Sequence, residues 1–186
     1  MSAELYTAEN APEGARPLLE AVQKKMGGFL PNLYRQMAGV PGVLDTYLML
    51  SDRFGGTSFT PAEQQLVLLT ASVRNGCVYC VAAHSSGARM AKLDKGSINA
   101  IRDGAAIEDA RLQALRSFTE AAIASRGKVE ESALSEFTSH GFTRDQAAEV
   151  LIGISMKALS NTYARMFDTP LDELLQAMAW EGNDRV

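Results

Sequence analysis

The two cysteines of this chain lie three residues apart, and a histidine follows the second by about one helical turn. Cys77, Cys80 and His84 come directly after Asn75-Gly76, a pair that typically ends one helix and allows another to begin. If the segment after Gly76 is helical, the three side chains share one face, because residues three and four apart on a helix are neighbours. The segment therefore predicts a fold in which two helices meet at a dithiol and an imidazole.

This grouping favours thiol chemistry. Only the thiolate form of cysteine is reactive, and the usual pKa of about 8.5 falls at a helix N-terminus, near a cation or in a CxxC pair. Cys77 is placed to interact with the amides of the first helical turn. His84 is placed to accept or return a proton. We therefore predict Cys77, Cys80 and His84 as the catalytic residues of a redox site.

Two other interpretations of these residues stay open. The cysteines could be small buried side chains in a helix, and the histidine could satisfy a backbone carbonyl. A zinc site is the second alternative, but a structural zinc ion needs four ligands, usually from two separated pairs. The other histidine, His140, has no cysteine or second histidine near it in the sequence. The sequence thus predicts no metal ion and no bound cofactor.

Composition narrows the class of protein. A chain of 186 residues with 46% hydrophobic residues has the size and makeup of one globular domain, which we place at residues 1–186. A net charge of −4 argues against a nucleic-acid partner. No apolar run approaches the roughly 20 residues that span a bilayer, and no secretory signal is visible. We expect no membrane partner and a cytoplasmic location, where a CxxC pair is more often a redox or metal site than a structural disulfide.

Hydrophobic periodicity predicts an all-α fold, since no alternating run of β-branched residues occurs. Thr60 is the strongest cap, with Pro61 at the first helical position and Glu63 completing a capping box. Residues 1–12 are expected to form a loose arm. Six residues of the helix near the C-terminus are expected to face inward: Ala147, Val150, Leu151, Ile154, Leu159 and Tyr163. The pattern predicts helices at about residues 17–26, 32–37, 41–53, 61–74, 77–92, 93–102, 107–125, 131–139, 143–167 and 171–180.

The segment Asn75–His84, with the apolar helix before it, resembles the alkyl hydroperoxidase D (AhpD)-like branch of the carboxymuconolactone decarboxylase family. Gly28–Leu33 looks like that family's N-terminal signature, and Ser160–Tyr163 lies where its last long helix is expected. The resemblance implies an AhpD-like multi-helix bundle with the CxxC motif at the start of a core helix. On that basis we expect N-terminal helices in residues 1–58, a CxxC core in 59–102 and C-terminal helices in 103–186.

The same resemblance implies roles for individual residues. Cys80 matches the peroxide-attacking cysteine, Cys77 its resolving partner and His84 the histidine one turn on. Gln65 stands where the family's proton relay has an acidic residue, and Tyr79 stands where it has a histidine. Glutamine does not exchange protons, and a tyrosine with a pKa of about 10 is a poor base near neutrality. Four residues are supporting candidates that also have ordinary capping or packing interpretations: Glu63, Gln65, Tyr79 and Asn161.

The leading hypothesis is an enzyme, a thiol-disulfide oxidoreductase that reduces small hydroperoxides. An external dithiol donor, such as a thiol reductant protein, would restore the dithiol, and the family likeness implies a homo-oligomer, a trimer or a hexamer. The alternative is a redox sensor or helical scaffold without turnover, which the replacements at Gln65 and Tyr79 favour. A carboxymuconolactone-decarboxylase-type enzyme is a third hypothesis. The sequence shows no carboxylate-binding site for such a substrate, and that reaction would leave the dithiol without a role.

Overall fold

The structure, a computed structural model, describes residues 4–182. Within that range all regular structure is helical, so the all-α prediction is confirmed. None of the described helices has both the length and the hydropathy needed to cross a membrane. Residues 4–182 form nine α-helices and a final 3-10 helix: α1 Arg16–Lys25, α2 Asn32–Met37, α3 Pro41–Gly55, α4 Pro61–Arg74, α5 Val78–Met90, α6 Lys95–Asp103, α7 Ala110–Ala124, α8 Glu131–Ser139, α9 Arg144–Met166 and the 3-10 helix Glu173–Met178.

Helix α4 is the centre of the fold. It packs against α3, α5, α6, α7 and α9. Leu66, Val67 and Leu69 are fully buried in this position, as expected for a helix that is apolar on most of its sides. The helix begins at the predicted capping box, in which the Thr60 hydroxyl accepts from the amide of Glu63 and the Glu63 carboxylate accepts from the amide of Thr60.

The turn between α4 and α5 brings the cysteines into the core. Asn75 is the C-cap of α4, and Gly76 follows with a φ of 62°, a left-handed conformation that glycine adopts without strain. Cys77 is then the N-cap of α5, and its sulfur accepts a hydrogen bond from the amide of Cys80. The predicted helix break therefore lies directly before the dithiol.

Helix α9 presents a face that the sequence did not predict. Leu151 was expected to face inward but is 48% exposed, so that prediction is wrong. The buried stripe is turned away from it, because Gly153 packs where any larger residue would collide: a Cβ there would lie 2.8 Å from the Phe54 ring. The stripe continues toward the C-terminal end of α9 with polar residues. Its members are Val150, Gly153, Met156, Lys157, Ser160, Asn161 and Ala164.

The predicted N-terminal arm is docked in its described part rather than loose. The Arg35 guanidinium donates hydrogen bonds to the carbonyls of Leu5 at 3.3 Å and Tyr6 at 3.1 Å. The amide of Tyr6 donates in return to the carbonyl of Arg35 at 3.3 Å. These bonds fix the arm on α2, and residues 1–3 of the predicted arm lie outside the described range.

The last predicted helix, residues 171–180, is a shorter 3-10 helix. Its N-cap residue, Asp172, makes no capping hydrogen bond. The carboxylate is used elsewhere: it accepts from the Tyr79 hydroxyl at 2.7 Å and from the amide of Asn32 at 3.0 Å. Asp172 therefore ties three parts of the chain together instead of starting an α-helix.

Candidate active site

Both cysteines are buried thiols at the start of α5. Cys77 and Cys80 are each 1% exposed and neither is in a disulfide bond. The Cys77 sulfur lies 3.4 Å from the backbone nitrogen of Cys80, which donates to it. The two thiols also hydrogen-bond to each other through their side chains. The predicted dithiol is therefore a contacting pair at a helix N-terminus.

The surroundings of the two thiols make them chemically unequal. Burial by itself raises the pKa of Cys80, but hydrogen bonds from Cys77, Asn161 and Lys157 and the positive charge of Lys157 outweigh it and lower the pKa to about 6. The pKa of Cys77 is raised, because its thiol is hydrogen-bonded to Cys80 and because it is buried. Near neutral pH, Cys80 is therefore the thiolate and Cys77 the thiol.

His84 is held between an amide and an ammonium group. Its Nδ1 lies 3.0 Å from Oε1 of Gln65, and its Nε2 lies 2.8 Å from Nζ of Lys157. A lysine ammonium can only donate, so Nε2 is the acceptor and the ring proton is on Nδ1, where the Gln65 oxygen accepts it. Burial, followed by the charge of Lys157, lowers the pKa of His84 well below its usual value. The imidazole is therefore neutral.

Gly87, one turn after His84 on α5, makes room for the Gln65 side chain. A Cβ at this glycine would lie 2.6 Å from Oε1 of Gln65, the atom that accepts from His84. No side chain larger than hydrogen fits without moving the amide. The glycine on α5 and the glutamine on α4 thus fix the position of the imidazole together.

Lys157 is the residue that sequence analysis missed. It lies on the buried stripe of α9 and is 1% exposed, although lysine is almost never buried without a partner. Its ammonium group contacts Nε2 of His84 and the sulfur of Cys80. One signal was present in the sequence: Lys157 is four residues before Asn161, so the two share a helix face.

Asn161, a supporting candidate, does reach the dithiol. Its Oδ1 accepts from Nδ2 of Asn75 at 2.9 Å, which directs the Asn161 amide hydrogens toward Ser72 and Cys80. The amide bond to Cys80 helps to lower the pKa of that thiol. Helices α4, α5 and α9 therefore each contribute a side chain to the surroundings of the Cys80 sulfur.

Tyr79 and Glu63 make contacts typical of structural residues. The Tyr79 hydroxyl donates to Asp172 and accepts from the amide of Leu33 at 3.3 Å. Burial and the bond to Asp172 raise the pKa of Tyr79, which removes it further from proton exchange near neutrality. The Glu63 carboxylate is shared between the capping box and an ion pair with Arg111 at 3.1 Å.

Two further tyrosines that the sequence analysis did not single out lie near Cys80. The rings of Tyr34 and Tyr47 meet edge to face, with 5.4 Å between their centroids. Burial raises the pKa of both phenols, and the negative charge of Cys80 adds to this effect. Both hydroxyls therefore stay protonated around the thiolate.

The described residues contain no group of three or more histidine, cysteine or acidic side chains that could hold a metal ion. His84 is not available as a ligand in this arrangement, because Gln65 and Lys157 occupy both ring nitrogens. His140 lies at the end of α8, where its Nδ1 contacts the carbonyl of Glu136 at 2.9 Å.

Comparison with known families identifies one segment of the chain. Residues 44–124 match the model of the carboxymuconolactone decarboxylase family. The matched segment runs from α3 to the end of α7 and includes the dithiol, His84 and Gln65. A search of curated protein sequences gave no significant match.

Solved structures resemble the whole chain. A peroxidase-related protein from Ralstonia eutropha JMP134, described as an alkylhydroperoxidase AhpD core, is 22% identical, with a TM-score of 0.82 over 92% of each chain. A peroxidase-related protein from Silicibacter sp. TM1040 is 20% identical, with a TM-score of 0.79 over 94% of this chain and 93% of that one. A variant of the debrominase Bmp8, solved with 2,3,4-tribromopyrrole, is 17% identical, with a TM-score of 0.70 over 89% of each chain. At these identities the likeness establishes the fold.

Proposed function

Because residues 44–124 place this chain in the carboxymuconolactone decarboxylase family and its fold is AhpD-like, we propose that it is a thiol-disulfide oxidoreductase that reduces hydroperoxides. The observation that carries this proposal is the unequal dithiol. Cys80 is a buried thiolate beside the Lys157 ammonium group, and Cys77 is a protonated thiol in contact with it. This difference suits Cys80 as the attacking thiolate, and it leaves Cys77 as the partner that loses its proton only when it resolves the sulfenic acid.

The similar structures support the proposal only at the level of the fold. Two of them are described as peroxidase-related, whereas a third is a debrominase, so one fold serves different reactions. Peroxide reduction is therefore proposed from the residues of this chain, above all from the unequal pair Cys77 and Cys80.

In the first step the Cys80 thiolate attacks the terminal oxygen of the hydroperoxide. A sulfur–oxygen bond forms, the oxygen–oxygen bond breaks, and the sulfur is oxidised by two electrons to a sulfenic acid. The alcohol leaves after taking a proton, which the Lys157 ammonium is placed to supply. This proton matters because an alkoxide is a poor leaving group.

In the second step Cys77 attacks the sulfenic acid and gives up its proton as it does so, because the reacting form is the thiolate. A disulfide forms, and the hydroxyl leaves as water with the thiol proton. An external dithiol then reduces the disulfide by exchange and is itself oxidised to a disulfide, which returns both cysteines to their starting state. No resident cofactor takes part in this sequence.

His84 acts on Cys80 through Lys157. Because Nε2 accepts from the ammonium group, the imidazole holds Lys157 in place beside Cys80. The proton that Lys157 gives up in the first step is restored when the external dithiol reduces the disulfide, because that dithiol supplies two protons and the Cys80 thiolate keeps neither. Gln65 fixes the imidazole tautomer through Nδ1 and carries no proton itself. This arrangement gives Gln65 a positioning role at the place where the family likeness led us to expect an acid.

A redox sensor without turnover is the second candidate, and the burial of both sulfurs favours it. Each cysteine is only 1% exposed, so a protein reductant must open the site before it can reach the disulfide. In that case the dithiol would oxidise once and stay oxidised.

One experiment tests the chemistry directly. Reduced protein is treated with one equivalent of cumene hydroperoxide, free thiols are counted and the product is identified by mass spectrometry. We expect the loss of two thiols per chain and a disulfide between Cys77 and Cys80. The Cys77→Ser variant should instead accumulate a Cys80 sulfenic acid that dimedone traps. Retention of both thiols in the wild-type protein would contradict the proposal.

A further inference from the structure

A cleft with an excess of positive charge reaches Asn161, the residue of α9 that is hydrogen-bonded to Cys80. Its volume is about 690 Å³, within the range of small-molecule sites. Arg74 from the last turn of α4, Arg126 just after α7 and Arg165 from α9 line it. No acidic side chain is among its lining residues, although the chain as a whole has a net charge of −4.

The charges of these arginines are not neutralised within the described part of the chain. In residues 4–182, Arg74 and Arg126 form no ion pair with a carboxylate. Arg165 donates one hydrogen bond at 2.9 Å to the carbonyl of Asn75, which leaves its charge uncompensated. Like charges around one cleft repel each other, and a bound anion removes that repulsion. The cleft therefore favours a ligand with a negative group.

The remaining lining combines polar residues with aliphatic side chains from two helices. Ile123 of α7 and Leu151 and Ile154 of α9 line the cleft, and Leu151 is 48% exposed. Exposed aliphatic side chains next to arginines suit a ligand that has both an apolar body and an anionic group. An inorganic anion alone would leave these side chains in water.

One residue connects the cleft to the reacting sulfur. Asn161 lines the cleft and is also hydrogen-bonded to Cys80. Its partner Asn75 lines the cleft as well and accepts from Arg165. A ligand bound by Arg74 and Arg165 therefore lies close to Asn161, the residue that contacts the thiolate.

We infer that this cleft binds the substrate, and that the substrate is an organic hydroperoxide with an apolar body and a carboxylate. That the bound molecule is a hydroperoxide rests on the proposed function. That the cleft binds an anion rests on its arginines alone. The arginines hold the carboxylate, and the aliphatic side chains hold the body. Because Cys80 is 1% exposed and does not line the cleft, the peroxide group reaches its sulfur when the packing at Asn161 opens locally. The arginines select the substrate and take no part in the bond changes.

The kinetic test uses two hydroperoxides that differ in one charge: cumene hydroperoxide and its para-carboxylate. The variant is Arg74→Gln with Arg126→Gln, and the control is Arg53→Gln, an exposed arginine on α3 outside the cleft. We expect the double variant to raise KM for the carboxylate about a hundredfold, roughly tenfold for each charged hydrogen bond lost, and to change KM for the uncharged cumene hydroperoxide far less. Arg53→Gln should change neither KM. Equal KM values for the two peroxides in the wild-type protein would overturn the inference.

A binding test separates this inference from the proposed reaction. Calorimetry on the reduced protein compares 4-isopropylbenzoate with 4-isopropylbenzyl alcohol, neither of which can be reduced by the dithiol. Arginine-dependent binding of the benzoate would support the cleft even if no peroxide is consumed, in which case only the proposed reaction fails. Peroxide reduction without any preference for the benzoate would overturn the cleft and leave the reaction standing. A change in the oligomeric state of the double variant by light scattering would assign the cleft to a contact between copies and also overturn the inference.

Discussion

A single buried lysine determines the protonation of the dithiol. Lys157 supplies the positive charge and one of the hydrogen bonds that keep Cys80 ionised despite its burial. Without that charge, desolvation would favour the neutral thiol, as it does for any acid in an apolar core. His84 and Gln65 contribute by holding the lysine rather than by contacting the peroxide.

Replacing Lys157 should therefore raise the pKa of Cys80. For Lys157→Met, which keeps the length of the side chain and removes its charge, we expect a rise of roughly 1–3 in the pKa of Cys80, the usual effect of one close opposite charge. The measurement is the ultraviolet absorbance of the thiolate as a function of pH. The matched control is Lys128→Met, at an exposed lysine, and this variant should leave the titration of Cys80 unchanged. An unaltered Cys80 titration in Lys157→Met would contradict the assignment.

The rate of reaction with peroxide should follow the same titration. Since the reactive form is the thiolate and the pKa of Cys80 is lowered to about 6, the rate should rise as pH increases through about 6 and then level off. In Lys157→Met the rise should occur at a higher pH. Stopped-flow measurement of the first oxidation step gives this profile. A wild-type rate that still climbs steeply above neutral pH would mean that Cys80 is an ordinary thiol.

Tyr79 provides a test between a packing role and a role in proton transfer. Tyr79→Phe removes two hydrogen bonds, to Asp172 and to the amide of Leu33, so we expect a loss of about 1–3 kcal/mol in the free energy of unfolding. The pH profile of peroxide reduction should not change. Denaturant unfolding and the stopped-flow profile are measured on the same preparation. An unchanged stability with a slower reaction would place Tyr79 in the proton relay.

At the scale of elements, the site depends on how closely α4, α5 and α9 approach one another. Gly87 allows α5 to pack over the Gln65 side chain of α4, and Gly153 allows α9 to pack against Phe54 of α3. Each glycine is needed for close approach rather than for a special backbone angle. The two packing contacts set the distance between His84 and Lys157.

Substituting the first of these glycines should weaken the site without unfolding the chain. Gly87→Ala places a Cβ 2.6 Å from the Gln65 oxygen, so the amide must move and the hydrogen bond to His84 is lost. We expect slower oxidation of Cys80 and no gain in stability. The control is Gly42→Ala on α3, where a Cβ meets nothing within 4 Å and the alanine should stabilise the helix by roughly 0.5–1 kcal/mol. Equal rates and equal stabilisation in the two variants would refute the packing argument.

Local signals in the sequence account for much of the helical layout. The capping box at Thr60, the break at Asn75-Gly76 and the bounds of Glu131–Ser139 are set by residues close together in the chain, and the structure confirms them. The orientation of α9 is not set locally, because it depends on the fit of Gly153 against Phe54. For this reason the exposure of Leu151 was predicted wrongly.

The candidate site was predictable only in part for the same reason. Cys77, Cys80 and His84 share one short segment, so their spacing alone places them together. Lys157 joins them through the packing of α9 against α5, which no local pattern encodes. The arginines of the cleft are spread over positions 74, 126 and 165, and only the fold brings them together. No local pattern in the sequence therefore indicated the anion-binding cleft that we infer from the structure.

At the scale of the whole molecule, the dithiol lies in the shared core, where the central helix α4 packs against α5 and α9. The 3-10 helix packs against α5, and Asp172 links it to Tyr79 and to the start of α2. Reduction of a buried disulfide therefore requires either a small dithiol or a local opening of this packing.

Self-association as a trimer or a hexamer stays a prediction, and solution mass tests it. Multi-angle light scattering should give about three or six times the chain mass of 20.0 kDa. A mass equal to that of one chain at micromolar concentration would refute it.

The most direct test of the account is multiple turnover. Cumene hydroperoxide is supplied in large excess over the protein together with excess dithiothreitol, and peroxide loss is followed in the wild-type protein, Cys80→Ser and Lys157→Met. We predict many peroxides consumed per chain by the wild type and none above background by Cys80→Ser. In Lys157→Met the rate should be slower and should rise at higher pH without reaching the wild-type rate, because the variant also lacks the proton donor. Loss of a single equivalent of peroxide per chain in the wild type, with the disulfide then persisting, would contradict the enzyme and leave a redox switch.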